Sequence, residues 1–146
     1  MDPNGPAPAA QALARRLMAH EANGRTAAGD LAAAGERVLL RLRQDLARVL
    51  GTSGFSALEA RALDLARRRY AFLGTDGGSP HFLDDARAAL AGRDADDARD
   101  ALLAVCGHLI GLLVTFLGEP LTTQFIRLAW PDLAGEAADR DKKETR

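Results

Sequence analysis

The segment from Ala101 to Leu117, ALLAVCGHLIGLLVTFL, restricts the possible folds of this chain more than any other segment. All of its residues are apolar except two glycines, a histidine and a threonine. A helix that is apolar on every side lies either in the centre of a bundle or in a membrane. A membrane span needs about 20 apolar residues, and this run is shorter and follows an acidic segment. It therefore predicts the buried central helix of a bundle.

Two glycines in this segment, Gly107 and Gly111, are four residues apart and lie on one face of the predicted helix. Because this face lacks side chains, we expect a neighbouring helix to approach it closely. Gly118 and Pro120 follow the segment. Glycine is frequent just after a helix and proline in the first turn of the next one. A second helix is therefore expected to fold back against the first.

The composition favours an all-α protein. Aromatic residues make up only 5% of the sequence, β-branched residues are few, and strong helix formers are abundant. A chain of 146 residues is long enough to bury the core of one domain. The single cysteine, Cys106, excludes an internal disulfide framework, and the N-terminus lacks the pattern of a signal peptide. We therefore expect a cytoplasmic protein.

Apolar periodicity and turn residues predict a compact bundle of five to six helices with short, antiparallel connections. Residues 1–8 and 132–146 lack periodicity, and both are expected to be disordered. A single bundle domain then spans residues 9–131. Its predicted helices cover residues 9–21, 27–50, 53–73 (with a start between 53 and 56), 80–91, 94–117 and 120–130.

Three local patterns predict how these helices are oriented and where they end. The second helix carries an inward-facing apolar stripe that ends at Gly51, and a stripe of apolar residues repeats at helical spacing along the last helix. Ser56 and Glu59 have the spacing of a capping box at the start of the third helix. The two stripes comprise Val38, Leu39, Leu42, Leu46, Val49 and Leu50 in the second helix, and Leu121, Phe125, Leu128 and Ala129 in the last.

The sequence DDARD, from Asp96 to Asp100, resembles the DDxxD motif that holds magnesium and diphosphate in all-helical isoprenoid synthases. Carboxylates one helical turn apart can share a hard cation, which makes Asp96, Asp97 and Asp100 candidate metal ligands in a magnesium- and diphosphate-dependent enzyme. Those enzymes are much larger and need a second acidic motif. We therefore favour the alternative, in which the three acids stabilise the positive end of the helix dipole.

No catalytic or cofactor-binding residue is predicted. Cys106 and His108 are two residues apart, so their side chains point in different directions on a helix and do not easily share a metal. We interpret Cys106 as a small buried hydrophobe and His108 as a hydrogen-bonded core residue. His20 and His81 supply no ligand spacing with them. The protein is therefore expected to be no enzyme and to hold no cofactor.

Charge is distributed unevenly along a chain whose net charge is −1. Residues 1–72 carry eleven arginines and seven acids, whereas residues 73–146 carry eight basic residues and thirteen acids. Neither half is charged enough to indicate nucleic acid or an anionic membrane as a partner. The opposite signs fit a contact between the two halves or between subunits.

Arg67, Arg68 and Arg69, which we call the arginine cluster, and the only tryptophan, Trp130, are candidate partner-binding residues. The arginines suit an acidic partner, although cations at the end of a helix also stabilise its dipole. Tryptophan is a frequent interface anchor, but its apolar surface also suits a residue that covers the end of a bundle. The sequence leaves both alternatives open.

Two segments, GFSALEARALDLARRRYAFL from Gly54 to Leu73 and HLIGLLVTFLGEPLTTQFIRLAWPDL from His108 to Leu133, resemble a family of small helical bacterial proteins of uncharacterised activity. The resemblance implies a bacterial, non-secreted, all-α domain. It implies no activity, cofactor or catalytic residue.

The sequence favours a non-enzymatic interaction or regulatory module that binds another protein, or a second copy of itself, through the arginine cluster and Trp130. The alternative is a sensor of a small hydrophobic ligand, with a pocket near His108 and Gly111 in the bundle. A magnesium- and diphosphate-dependent enzyme is the third hypothesis.

Overall fold

The computed structural model describes residues 5–73, 88, 90 and 92–133. These residues form helices and connecting turns and include no strand, so the predicted all-α fold is confirmed. The helices are α1 (Pro8–Glu21), α2 (Ala28–Leu50), α3 (Thr52–Arg67), α4 (Ala95–Leu117) and α5 (Glu119–Ala129), with a short 3-10 turn at Ala71–Leu73.

Helix α4 is the centre of the bundle. It packs against α1, α2, α3 and α5, and every residue from Ala104 to Ile110 is buried. By length and composition alone, this helix is also apolar enough to cross a membrane. The core helix of a globular domain meets the same criteria, and the packing of the other helices around α4 is the arrangement that the sequence predicts.

The glycine face of α4 receives α1. A Cβ atom at Gly107 would collide with Oε1 of Gln11 and would lie 2.8 Å from Cγ of Pro6. A Cβ atom at Gly111 would lie 3.8 Å from Cβ of Ala10. The predicted close approach of a neighbouring helix is therefore confirmed. Since earlier residues of α1 meet later residues of α4, the two helices are antiparallel.

Gly35 marks the point where α1, α2 and α4 meet. A Cβ atom there would lie 3.0 Å from Cβ of Leu102 and 3.2 Å from Cε of Met18. The thiol of Cys106 donates a weak hydrogen bond of 3.8 Å to the carbonyl oxygen of Gly35. A larger residue at this position would push the three helices apart, because interiors are close-packed.

Glycines with positive φ end two of the helices. Gly51 has φ 81° and Gly118 has φ 89°, a conformation that glycine adopts without steric penalty, and both helix ends agree with the prediction. Helix α3 begins at Thr52, directly after Gly51, and no side chain caps it. The predicted capping box of Ser56 and Glu59 is therefore wrong, because both residues lie inside the helix.

The inward face of α2 is shorter than predicted. Its buried residues end at Leu46, and Val49, which we expected to face the core, is 58% exposed. Leu50 is only partly buried. The last turn of α2 therefore extends past the core.

Helix α5 buries a different side from the one that carries its apolar repeat. Thr122 and Ile126 are its buried residues, whereas Leu121 and Leu128 are exposed. Trp130, four residues after Ile126, is buried as well.

The predicted helix over residues 80–91 lies mostly outside the described residues. Ala88 and Leu90 are helical, and Leu90 is buried as expected. Helix α3 ends at Arg67, before the predicted end at residue 73. Residues 131–133 are helical and Leu133 is buried, so the described core extends past residue 131. The predicted disorder of residues 1–4 and 134–146 lies outside the described residues.

Candidate functional site

The acidic segment at the start of α4 is arranged around Arg99. Its Nε lies 3.0 Å from Oδ1 of Asp100, and a terminal nitrogen lies 3.2 Å from Oδ1 of Asp96. The hydrogen bond from Arg99 to Asp100 and the charge of Asp100 raise the pKa of the guanidinium. Asp96 and Asp97 lie in the first turn of α4, where their charge also stabilises the helix dipole.

The candidate metal site is not assembled in the described part of the chain. No group of three or more His, Cys, Asp or Glu side chains among those residues is placed to hold a metal ion. Two of the three candidate carboxylates, Asp96 and Asp100, are instead bound to Arg99. The geometry of this segment therefore offers no support for diphosphate chemistry at Asp96, Asp97 and Asp100.

Cys106 lies in the interior, with no exposed surface. Burial raises the pKa of its thiol to about 12, so the nucleophilic thiolate is not populated near neutral pH. His108 is also buried, on the segment of α4 that the other helices surround.

The arginine cluster lies at the C-terminal end of α3. Arg67 donates a hydrogen bond of 2.6 Å to Oδ1 of Asp64, three residues earlier. The guanidinium of Arg69 lies 5.8 Å from the centroid of the Tyr70 ring. Arg68 and Arg69 are exposed and Arg67 is half-buried. The structure therefore places two of the three arginines at the surface, where they also stabilise the end of the α3 dipole.

Trp130 is 1% exposed. Its indole Nε1 donates a hydrogen bond of 2.7 Å to Oε1 of Glu21 at the end of α1. Arg41 lies 5.6 Å from the indole centroid, donates a hydrogen bond of 3.1 Å to the carbonyl oxygen of Ala129 and lies 3.4 Å from Oε1 of Glu21. A side chain held in this way offers no surface to a partner, so Trp130 covers the end of the bundle.

The sequence did not predict that Glu59 would lie inside the core. Its side chain is 1% exposed, and neither carboxylate oxygen accepts a hydrogen bond. Its ion partner is Arg43 of α2, with nitrogen and Oε1 3.4 Å apart. Burial raises the pKa of Glu59 to about 7, although the positive charge of Arg43 lowers it.

One face of α5 is apolar and exposed. Leu121, Phe125 and Leu128, which we call the apolar stripe, are spaced so that they lie on one side of the helix. Leu128 is 70% exposed, Leu121 is exposed and Phe125 is half-buried. Phe116, in the last turn of α4, is 68% exposed. Large exposed apolar side chains along one face of a helix are typical of a binding surface.

A cleft of about 480 Å³ opens where the end of α1, the loop after it and the starts of α2 and α4 meet. We call it the arginine-lined cleft. Its wall combines the apolar side chains of Met18, Leu31 and Leu103 with Arg15, Arg25 and Arg99, and the carboxylate of Asp100 also lines it.

The arginine-lined cleft does not lie at the pocket that we predicted near His108 and Gly111. Gly111 contacts Ala10 of α1 at van der Waals distance, so helix packing fills the space beside it. The arginine-lined cleft instead forms at the opposite end of α1, near Met18.

No family model matches the chain, and neither a curated protein nor a solved structure is similar to it at a significant level. The resemblance of residues 54–73 and 108–133 to a family of small bacterial proteins stays a prediction.

Proposed function

We propose that this protein is a non-enzymatic interaction module that presents α5 to a partner protein. The observation that carries the proposal is the orientation of that helix, in which Thr122 is buried while Leu128 is 70% exposed. Exposing a leucine rather than a threonine is unfavourable in a free monomer, because each buried apolar side chain stabilises a fold by about 1.5–3 kcal/mol.

The spacing of the apolar stripe indicates the kind of partner. Leu121, Phe125 and Leu128 follow the i, i+4, i+7 pattern of helices that insert into an apolar groove. Helix α5 has 11 residues and is about 16 Å long at 1.5 Å per residue. One face of a helix this short suits a helix-in-groove contact, because it is too small for a standard interface of roughly 800 Å² per partner. The expected occupant is therefore a different protein that has an apolar groove.

The arginine cluster has a secondary role in this proposal. Arg68 and Arg69 are exposed, and surface arginines accelerate the encounter with an acidic partner more than they tighten the final complex.

Photo-crosslinking in the native cell tests the proposal, with benzoylphenylalanine at position 128 and, as a matched control, at position 127. Residue 127 is exposed on the polar side of the same turn. A crosslinked protein that is specific to position 128 is then purified and titrated against the wild-type chain and against L121Q/L128Q. We expect the double variant to bind at least about tenfold more weakly, with unchanged thermal stability.

Two results would contradict the proposal. Equal binding of the wild-type chain and L121Q/L128Q would exclude the apolar stripe as the anchor. A crosslink at position 128 between two copies of this chain, with a dimer in light scattering, would replace the different partner with self-association.

A further inference from the structure

The arginine-lined cleft combines an apolar wall with cationic side chains. Met18 is almost fully buried behind it, and Leu31 and Leu103 are partly exposed at its surface. These three side chains come from α1, α2 and α4, and the close packing of those helices at Gly35 fixes the position of the wall. Its volume of about 480 Å³ falls within the usual range for small-molecule sites.

Three arginines surround this apolar wall, and two of them have little or no competing negative charge. Arg15 makes no hydrogen bond or ion pair within the described part of the chain. Arg25 is exposed and has only a long ion pair of 3.9 Å with Asp30. Arg99 is already bound to Asp96 and Asp100. Arg15 and Arg25 are therefore the cations that are available to a ligand.

The start of α2 adds positive potential beside the cleft. Helix α2 begins at Ala28, between the cleft residues Thr26 and Leu31, and no side chain caps it. The free backbone N–H groups of a first helical turn carry a partial positive charge and favour an anion. Asp30, in the same turn, offsets part of this potential.

We propose that the cleft binds an amphipathic anion, a medium-length alkyl chain with a single anionic head group. The head group contacts Arg15 and Arg25, and the alkyl chain lies on Leu31, Leu103 and Met18. The head group is a carboxylate, as in a fatty acid, or a phosphate, as in an alkyl phosphate, since both accept charge-assisted hydrogen bonds from arginine. This site is independent of the apolar stripe on α5.

Titration calorimetry with the full chain tests the site, using ligands below their micelle-forming concentrations. The ligands are dodecanoate, octanoate, dodecyl phosphate, dodecanol, dodecyltrimethylammonium and inorganic phosphate. We expect dodecanoate or dodecyl phosphate to bind at least about tenfold more tightly than dodecanol or the ammonium compound, because arginine pairs only with the anions. Dodecanoate should also bind at least about tenfold more tightly than octanoate, since each buried methylene contributes about fourfold.

Variants and NMR locate the binding site. R15A/R25A should weaken dodecanoate binding by about tenfold or more. R48A, which removes an exposed arginine of α2 away from the cleft, should leave the affinity unchanged. Amide shifts should change at Leu31 and Leu103 on addition of dodecanoate, and their response to dodecyl phosphate shows which head group fits better.

Several outcomes would overturn the proposal. Absence of binding at about 1 mM of either anion excludes the site. Equal affinity for dodecanol and dodecanoate, or for inorganic phosphate and dodecyl phosphate, excludes the amphipathic ligand. Unchanged dodecanoate affinity in R15A/R25A moves the binding elsewhere. None of these results bears on the crosslinking test at position 128. The proposed ligand site and the proposed interaction module can therefore be contradicted separately.

Discussion

Trp130 Nε1 and Glu21 Oε1 are 2.7 Å apart, although 109 positions separate the two residues in the chain. The pair joins the end of α5 to the end of α1. Arg37 adds a hydrogen bond of 2.8 Å to the carbonyl oxygen of Glu21 and an ion-pair contact of 3.6 Å to its carboxylate. Glu21 thus connects three helices, and Trp130, which it binds, follows directly after α5.

Trp130→Phe should lower the free energy of unfolding by about 2 kcal/mol, because it removes a partly buried hydrogen bond to a charged acceptor. Urea unfolding followed by circular dichroism measures the change. A double-mutant cycle with Glu21→Ala separates the pair from its surroundings, and we expect a coupling energy of about 1 kcal/mol or more. Strictly additive effects of the two substitutions would show that the hydrogen bond contributes nothing to stability.

Glu59 should make the protein less stable as the pH rises. Burial raises its pKa from 4.5 to about 7, so the folded state binds its proton more tightly than the unfolded state does. The resulting stability is fully present below pH 4.5 and is lost as the pH rises through 7. A shift of this size corresponds to about 3 kcal/mol. Urea unfolding between pH 5 and 8 measures the trend.

Glu59→Gln isolates this effect, because glutamine has a similar shape and does not ionise. The variant should be more stable than the wild-type chain at pH 8, and the difference should shrink towards pH 5. Glu119→Gln, at an exposed position, is the control and should retain the pH dependence of the wild-type chain. Parallel pH profiles for wild type and Glu59→Gln would assign the dependence to another group.

The central helix was predictable because its signal is local. The uninterrupted apolar run and the two glycines, Gly107 and Gly111, lie within one segment of sequence, and the glycine face is where α1 packs. The ends of α2 and α4 were predictable for the same reason, since Gly51 and Gly118 follow directly after the apolar patterns they terminate.

The orientation of α5 was not predictable from its own residues. It has two apolar rows, one through Leu121 and Leu128 and one through Ile126 that continues to Trp130 just after the helix. The structure buries the row of Ile126 and Trp130, and Trp130 is hydrogen-bonded to Glu21, a residue of another helix. Glu59 is likewise buried beside a residue of another helix, Arg43 of α2, whereas local sequence places a glutamate on the surface.

The arginine-lined cleft was not predictable either, because its residues come from three separate segments of the chain. No short motif joins Arg15, Arg25 and Arg99 in the sequence. These arginines lie together because the end of α1 and the starts of α2 and α4 meet at the cleft. The same three helices pack closely at Gly35.

Arg68→Glu with Arg69→Glu should slow formation of the complex that α5 makes with its partner. We expect the association rate to fall by about tenfold at low salt and less at high salt, with little change in dissociation. Stopped-flow binding at two ionic strengths, with the partner identified by crosslinking, measures both rates. Arg48→Glu, exposed on α2, controls for net charge, and an equal effect of that variant would show that the arginine cluster has no specific role.

Cys106 should react with iodoacetamide only when the structure opens. Its thiol is buried and has a pKa of about 12, so native alkylation at pH 8 should be at least about a hundredfold slower than alkylation in denaturant. Arg48→Cys in a Cys106→Ala background supplies an exposed thiol as the control, which should react at the rate of the unfolded chain. Rapid native labelling at Cys106 would mean that α4 opens readily.

Gly107→Ala and Gly111→Ala should change stability in opposite directions. A methyl group at Gly107 collides with Oε1 of Gln11 and lies 2.8 Å from Pro6, so α1 and the segment before it must shift, at a cost of about 1–3 kcal/mol. A methyl group at Gly111 lies 3.8 Å from Ala10, an ordinary contact, and alanine there should gain up to about 1 kcal/mol of helix propensity. Urea unfolding measures both, and Gln11→Ala should reduce the penalty at Gly107 because it removes the nearest colliding atom. An unreduced penalty in that background would assign the strain to Pro6, and equal penalties at both glycines would contradict the packing of α1 along this face.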